Sequence, residues 1–208
     1  MKVAIVGYGN MGSALAAGLV KAGHQVTLTG KDAGKAEAAA VKTGAKARQG
    51  AEAIKDADVV IATAPYQAQV EALQGLGDLA GKVVVDISNP LKADMSGLQV
   101  GHTTSAAEEI AKGLPGAKVV KAFNTIFAQV LNEGPAFKTG PAQVFFAGDD
   151  AGAKDQVKEL IGSLGFDAVD AGPLTNARYL EPMGMLNIWF GYMAKQGAGI
   201  APSWARRA

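Results

Sequence analysis

The chain has 208 residues, 49% of them hydrophobic and 19% charged, enough for one large core or a core with a substantial extension. A formal net charge of +1 excludes the electrostatic footprint that nucleic acid or an acidic membrane surface would require. Zero cysteines and two isolated histidines exclude a disulfide framework, a thiol nucleophile and an ordinary zinc site, and no apolar run is long enough to span a bilayer.

The apolar run at 2–6 predicts a strand and the pattern over 10–22 a helix. Between them lies Gly7-Tyr8-Gly9-Asn10-Met11-Gly12, a G-x-G-x-x-G turn. Gly7 permits the tight turn out of the strand, Gly9 lets backbone approach a pyrophosphate, and Gly12 lets the helix pack close to the sheet. Phosphates there meet free N–H groups and the positive end of a helix dipole. A glycine turn alone is weak evidence. Here the Gly23-His24 turn and a second strand over 25–29 complete a βαβ unit, so a dinucleotide site is predicted.

At the tip of that second strand the sequence reads Thr29-Gly30-Lys31-Asp32-Ala33-Gly34-Lys35. No carboxylate sits at the tip to hold a ribose diol, and Lys31 and Lys35 flank it, which predicts NADP over NAD. Asp32 competes with this reading, because a one-residue shift would bring it to the ribose; the expectation is that it caps the following helix.

Further strands are predicted over 45–48, 58–63, 82–87, 117–122, 142–147 and 166–170, and helices over 32–43, 66–78, 104–113, 150–164 and 174–196. The alternation is that of an α/β protein with a Rossmann-like, doubly wound, mostly parallel sheet, a C-terminal αβ extension and a long final helix. VVIAT and KVVVDI are continuous apolar runs, as strands covered on both faces require. One nucleotide-binding domain over 1–208 is expected, with its core at 1–122 and the extension at 123–208. The final helix is apolar all round and is expected to pack on its own domain, on a partner chain or on both.

Ligands of open α/β sheets bind beyond the carboxyl ends of the strands. The loops predicted there are Ala64-Pro65-Tyr66, Ser88-Asn89-Pro90 and Asn124-Thr125-Ile126-Phe127-Ala128. They offer amides and hydroxyls but no strong acid, base or nucleophile, and for Asn89-Pro90 a plain loop turn accounts equally well. A nicotinamide or flavin must carry any redox chemistry.

VGYGNMGSALA, the AP-Y loop, VVDISNPL, VVKAFNTIFA and VFFAGDDAGAKDQVKELIGSLGFDAVDAGPLTNARYLEPMGMLNI together resemble the NADPH-dependent coenzyme F420 reductases, across essentially the whole chain. The fold also resembles the NADPH-binding domain of the STEAP metalloreductases. The resemblance implies NADP lying along Gly7, Tyr8, Gly9, Asn10, Met11 and Gly12, with its adenosine phosphate near Thr29, Gly30, Lys31 and Lys35. It places the nicotinamide end near Ala64, Pro65, Tyr66, Asn89, Pro90, Asn124, Ile126 and Ala128. The acceptor, a small-molecule ring such as coenzyme F420, FMN or FAD, would stack on the nicotinamide and take hydride directly. The methanogen enzymes carry His-Thr-Ile-Pro where this chain has Asn124-Thr125-Ile126-Phe127, and their fifth-strand loop lacks Ser88-Asn89-Pro90. These loops are closer to short bacterial relatives and to the STEAP domain, so the resemblance leaves the acceptor open.

Hydride transfer between stacked rings is an orientation effect and needs no catalytic acid, so no catalytic side chain is predicted. His24 is expected remote from the transfer centre and His102 in an exposed turn; Arg178 and Glu181 are expected to make a structural ion pair or a helix-start contact. A small imine reductase is disfavoured, since 142–170 reads as strand, helix, strand instead of a long helical dimerisation domain. An NADPH-binding electron-delivery or sensing module that acts with a partner protein stays open. Met1 leads straight into the first strand without a signal peptide, and cytoplasm is the expected compartment. A homodimer is expected through the final helix and the tail Ala201-Pro202-Ser203-Trp204, because Phe123, Phe127, Met183, Met185 and Trp189 are too many bulky groups for this core. Asn124 and Asn187 are expected at the rim of the cleft so closed.

Overall fold

The computed structural model describes residues 1–205 and 207. Along them run β1 (Lys2–Val6), α1 (Asn10–Lys21), β2 (Gln25–Thr29), α2 (Ala33–Thr43), β3 (Lys46–Ala47), α3 (Ala51–Ile54), β4 (Val59–Ala62), α4 (Tyr66–Gln74), β5 (Val83–Asp86), α5 (Ala106–Gly113) and β6 (Lys118–Lys121). There follow α6 (Ala128–Glu133), β7 (Ala136–Phe137), β8 (Gly140–Pro141), β9 (Gln143–Gly148), α7 (Ala151–Ser163), β10 (Asp167–Asp170) and α8 (Ala177–Ile188).

Eight strands form one sheet in the order β10-β9-β6-β5-β4-β1-β2-β3, while β7 and β8 make a separate hairpin. All neighbours are parallel except β6 and β9. This is the Rossmann-like arrangement the alternation predicts, and its order reverses between β1 and β4, which opens a crevice beyond their carboxyl ends. Register keeps those ends level: Val6 pairs with Ala62, Ala62 with Asp86, and Asp86 with Lys121. The loops after β1, β4, β5 and β6 therefore leave from one rim.

Successive strand residues point to opposite faces, and both faces are buried. Val3, Ile5, Val59, Ile61, Val83 and Val85 join the core beneath α1, whereas Ala4, Val6, Val60, Ala62 and Val84 join the core beneath α5. Residues 143–170 form β9, α7 and β10, as read from sequence. No helix of the described residues is long and apolar enough to cross a membrane.

The long final helix expected over 174–196 is present as an unbroken helical run that changes hydrogen-bonding pattern along its length: a 3-10 turn at Leu174–Asn176, α8 with Pro182 inside it, and a π turn at Trp189–Met193. Proline removes an N–H from the helix ladder, and apolar periodicity cannot register a change from α to π hydrogen bonding. Leu180 and Met183 pack α8 onto Phe145 and Ala147 of β9. Within the chain, the Trp204 ring meets Phe145 edge-on and the Trp204 backbone N–H donates to Gln143 Oε1 at 2.5 Å, while the Trp204 side chain stays exposed. The short α3, α6 and β7–β8 hairpin have no counterpart in the sequence reading.

Candidate active site

Gly7 has φ of 118°, and a Cβ there would lie 2.3 Å from Thr63 Oγ1, which donates to the Val6 carbonyl at 3.0 Å. A Cβ on Gly12 would lie 2.2 Å from the Gly7 carbonyl oxygen. These two glycines are locked in by the fold. Gly9 differs: its backbone is extended (φ −69°, ψ −170°), and an added Cβ would meet nothing within 4 Å. Among the described residues the N–H groups of Asn10, Met11 and Gly12 have no protein acceptor, and no side chain caps α1. By contrast α2, α5 and α7 are capped by Asp32, Ser105 and Asp150. Open space over bare backbone at an uncapped helix start fits a pyrophosphate.

On one side of this turn, Thr29, Gly30 and Lys31 border a cavity of about 310 Å³ closed by Gln49, Gly50 and Glu71. The Tyr8 ring lies over Gly30, whose Cβ would sit 2.5 Å from it, and Tyr8 Oη accepts the Asp32 N–H at 3.2 Å. Asp32 caps α2 as expected: its Oδ1 accepts the Lys35 N–H at 3.0 Å, and Oδ2 lies 3.8 Å from Lys35 Nζ. Its carboxylate is thus committed to α2, while Lys31 and Lys35 project into solvent.

On the other side, Asn10, Met11, Asn89, Asn124, Ile126 and Ala128 border a second cavity of about 310 Å³, and among the described residues no charged side chain lines it. Asn89 and Asn124 hold each other. Asn89 Nδ2 donates to the Asn124 carbonyl at 2.8 Å, and Asn124 Nδ2 donates to Asn89 Oδ1 at 2.9 Å and to the Leu180 carbonyl at 2.8 Å. Asn187 Nδ2 donates to the Thr125 carbonyl at 3.2 Å. Phe123, fully buried with φ of 59°, turns the chain out of β6 at a cost of about 1–2 kcal/mol for a left-handed non-glycine residue.

The far wall is α8 and its π turn, which approach where backbone is bare. A Cβ on Gly184 would lie 2.7 Å from Asn89 Oδ1, and one on Gly191 would lie 2.9 Å from the Phe127 ring. Neither glycine stands out in sequence, because the demand comes from loops far away in the chain.

Lys35, Ala64, Pro65, Tyr66 and Pro90 line neither cavity. Tyr66 instead donates to the Glu109 carboxylate, and burial, followed by that bond, pushes its phenol up to about 12. Pro90 is buried and its carbonyl accepts the Gln99 N–H at 2.7 Å.

Beneath the loops lies a buried charge cluster that sequence reasoning missed. Lys121 Nζ reaches Asp86 Oδ2 and the Ser88 carbonyl, each at 2.6 Å, and Glu181 Oε1 at 2.8 Å. Asp86 Oδ1 also accepts from the Ser88 N–H at 2.8 Å and Gln69 Nε2 at 3.0 Å. Glu181 accepts the Ala106 and Ala107 N–H groups at 2.9 and 3.2 Å, which anchors α8 to the start of α5. Burial pushes the Glu181 carboxyl up against the pull of Lys121. A lysine inside the apolar run VVKAF was the available signal, since a buried lysine needs anionic partners.

Arg178 grips Glu108 with two bonds of 2.8 and 2.6 Å and holds that carboxyl below its usual range. Arg178 and Glu181 thus make the ion-pair and helix-start contacts expected of them. His24 contacts the Met1 amino group at 3.2 Å and Ser163 Oγ at 2.9 Å at the opposite end of the sheet, and His102 sits in an exposed turn with φ of 59°.

Comparison with known proteins bears on this geometry. The family described as NADP oxidoreductase coenzyme F420-dependent matches residues 2–90. The F420-dependent NADP reductase of Methanothermobacter marburgensis is 35% identical over 201 residues, covering 87% of this chain and 88% of that protein. Metalloreductase STEAP3 of Rattus norvegicus is 35% identical over 191 residues, which is 90% of this chain but only 38% of that protein. The crystal structure of a putative F420-dependent NADP reductase from Arthrobacter sp. FB24 superposes with a TM-score of 0.86 at 32% identity, covering 99% of this chain and 100% of that one.

Proposed function

Since this chain belongs to the family of coenzyme F420-dependent NADP oxidoreductases and is an NADP-dependent oxidoreductase, we propose that it passes hydride between NADPH and a flavin- or deazaflavin-type ring. The observation that carries the reading is a cavity that no charged side chain of the described residues lines, opening directly beside the uncapped start of α1. An apolar, amide-edged space suits a flat heteroaromatic ring. Bound NADPH would supply the hydride, which the ring takes up together with a proton from solvent.

The work of this chain's residues is positional. Gly9 and the N–H groups of Asn10, Met11 and Gly12 hold the pyrophosphate, Lys31 and Lys35 hold the adenosine phosphate, and Tyr8 shapes the strand tip against Gly30. Asn10, Asn89, Asn124, Ile126 and Ala128 border the transfer site. In this reading all 208 residues work as one nucleotide-binding domain, with 123–208 closing the acceptor side.

NADPH is expected to bind at least tenfold tighter than NADH, a difference of about 1.4 kcal/mol, and Lys31→Ala is expected to weaken NADPH selectively. Calorimetry at moderate salt checks both, because an exposed phosphate pair is partly screened; equal affinities would overturn the cofactor assignment. Turnover is tested by mixing the protein and NADPH with free flavin, deazaflavin or ferric chelates. The module reading, favoured by the likeness to STEAP3, expects tight NADPH binding without such turnover.

We also infer a homodimer across α8. Tyr179 and Leu186 of α8 and Trp189, Phe190 and Met193 of the π turn after it expose large apolar side chains, with Tyr179 at 73% and Leu186 at 53%, and exposed apolar surface of this kind suits an interface. Light scattering at tens of micromolar is expected to give a dimer, and Leu186→Glu a monomer that still binds NADPH.

A further inference from the structure

Among the described residues, the connection from β5 to α5 over 87–105 carries no helix or strand. Connections longer than about 15 residues without elements of their own are uncommon in compact domains and usually serve a site. Both ends of this one are pinned by groups described above: Asp86 and Asn89 at its start, and Glu181 on the Ala106 and Ala107 N–H groups at its finish. Its middle folds back on itself. Leu91 bridges Leu98, the Gln99 N–H donates to the Pro90 carbonyl at 2.7 Å, and the Lys92 N–H donates to the Gly97 carbonyl at 2.9 Å.

At the tip of this small hairpin the Met95 N–H donates to the Lys92 carbonyl at 2.9 Å and closes a turn over 92–95. Met95, the last residue of that turn, has φ of 57°. A left-handed residue directly after a hairpin turn is a place for glycine or asparagine. Methionine stands there instead, and at 38% exposure it gains little burial in return for the strain. What Met95 does is line the cavity beside the start of α1, together with Leu91 of the same hairpin. Among the described residues that line this cavity, Met95 and Tyr192 are the exposed large apolar ones, so they stand at its mouth. Strained backbone concentrates where a ligand is clamped, and an unbranched thioether adapts its shape to an aromatic ring and attracts it.

We propose that Met95 is a contact residue for the acceptor ring, closing over it from the mouth of the cavity, and that the hairpin over 90–99 serves to hold it there. The inference rests on the ring-to-ring reading above and adds the side chain that grips the second ring. The dinucleotide has its own holds along the glycine turn and the tip of β2, so Met95 acts on affinity for the acceptor and not on affinity for NADPH.

The test turns on a difference of sign. A methionine that merely packs the hairpin destabilises the protein when removed, whereas a ring contact on strained backbone does not. Met95→Gly and Met95→Asn are expected to keep the melting temperature or raise it by about 2–4 °C. The bare rings lumiflavin and 5-deazalumiflavin, followed by their own fluorescence, are expected to bind the NADP+-loaded full chain at least tenfold more weakly in these two variants. Met95→Leu is expected to bind them within threefold of the unaltered chain, and NADPH affinity by calorimetry is expected to stay within twofold throughout. Ring affinities that are alike in all three variants, a lowered melting temperature in Met95→Asn, or an unaltered chain that binds neither ring overturns the proposal. Reduction of the rings by NADPH is measured separately. Binding that depends on Met95 without reduction keeps the contact and removes the hydride-transfer reading, whereas reduction at affinities that no substitution moves does the reverse.

Discussion

Gly9→Val is expected to lower NADPH affinity by at least about a hundredfold, roughly 2.7 kcal/mol, in a protein that remains folded. The backbone of Gly9 is already extended, a conformation that β-branched residues adopt readily, and none of the described residues lies within 4 Å of the new Cβ. The cost to the fold is that of a poorer helix N-cap, about 1 kcal/mol or less. The branched side chain does, however, fill the space over the N–H groups of Asn10, Met11 and Gly12, where a pyrophosphate must come close. Gly7→Val and Gly12→Val serve as controls of opposite character, since each collides with the chain itself and should unfold it. Circular dichroism with isothermal titration separates the cases. A folded Gly9→Val protein that binds NADPH normally would put the dinucleotide elsewhere.

Lys121→Met is expected to destabilise the protein by about 3–5 kcal/mol, the usual cost of breaking a buried ion pair from one side. That is a large share of the about 5–15 kcal/mol by which a typical domain is stable. With the ammonium gone, Asp86 and Glu181 are left as two carboxylates with 0% and 1% exposure that have lost the cation between them. Denaturant titration should show a lower midpoint at unchanged slope.

The deficit should also depend on pH in a definite direction. Burial already raises the Glu181 carboxyl, and loss of Lys121 raises it further. A group raised in the folded state contributes stability that is complete below its unfolded value and is lost as pH rises through its folded value. The variant should therefore recover on acidification from pH 8 towards pH 5. Adding Glu181→Gln should recover part of the loss at neutral pH, because one buried charge disappears. A loss under about 1 kcal/mol, or one independent of pH, would show that the cluster does not hold its charges as described.

The glycine turn was legible because each of its requirements is local: a positive φ at Gly7, an open approach at Gly9 and a close contact at Gly12 all arise within one βαβ unit. Asp32 was legible for the same reason, as a residue three positions before the N–H it caps. The major strands could be read from apolar runs that need no knowledge of their neighbours. Gly184 and Gly191 could not, since their lack of a side chain answers to Asn89 and Phe127, which approach only once the fold has closed. The partners of Lys121 were hidden likewise; its burial could be suspected from VVKAF, but Asp86 and Glu181 are assigned only by the register of β5 against β6 and the return of α8. The π turn escaped because apolar spacing hardly distinguishes it from one more turn of helix. At the strand tips, Tyr66 and Pro90 stood in the expected loops while the structure turns the first towards Glu109 and buries the second.

The charge cluster also implies an order of assembly. Asp86 and Lys121 belong to adjacent strands of the first two-thirds of the chain, and Glu181 arrives with a helix made near its end. During synthesis, which proceeds from the amino terminus, the glycine turn and the strand tips that border it are complete while α8 is still missing. Until Glu181 docks, the first N–H groups of α5 at Ala106 and Ala107 lack their carboxylate. The wall that α8 gives the uncharged cavity is thus the last part of the candidate site to be built, so a nascent chain can form its glycine turn before that cavity is closed.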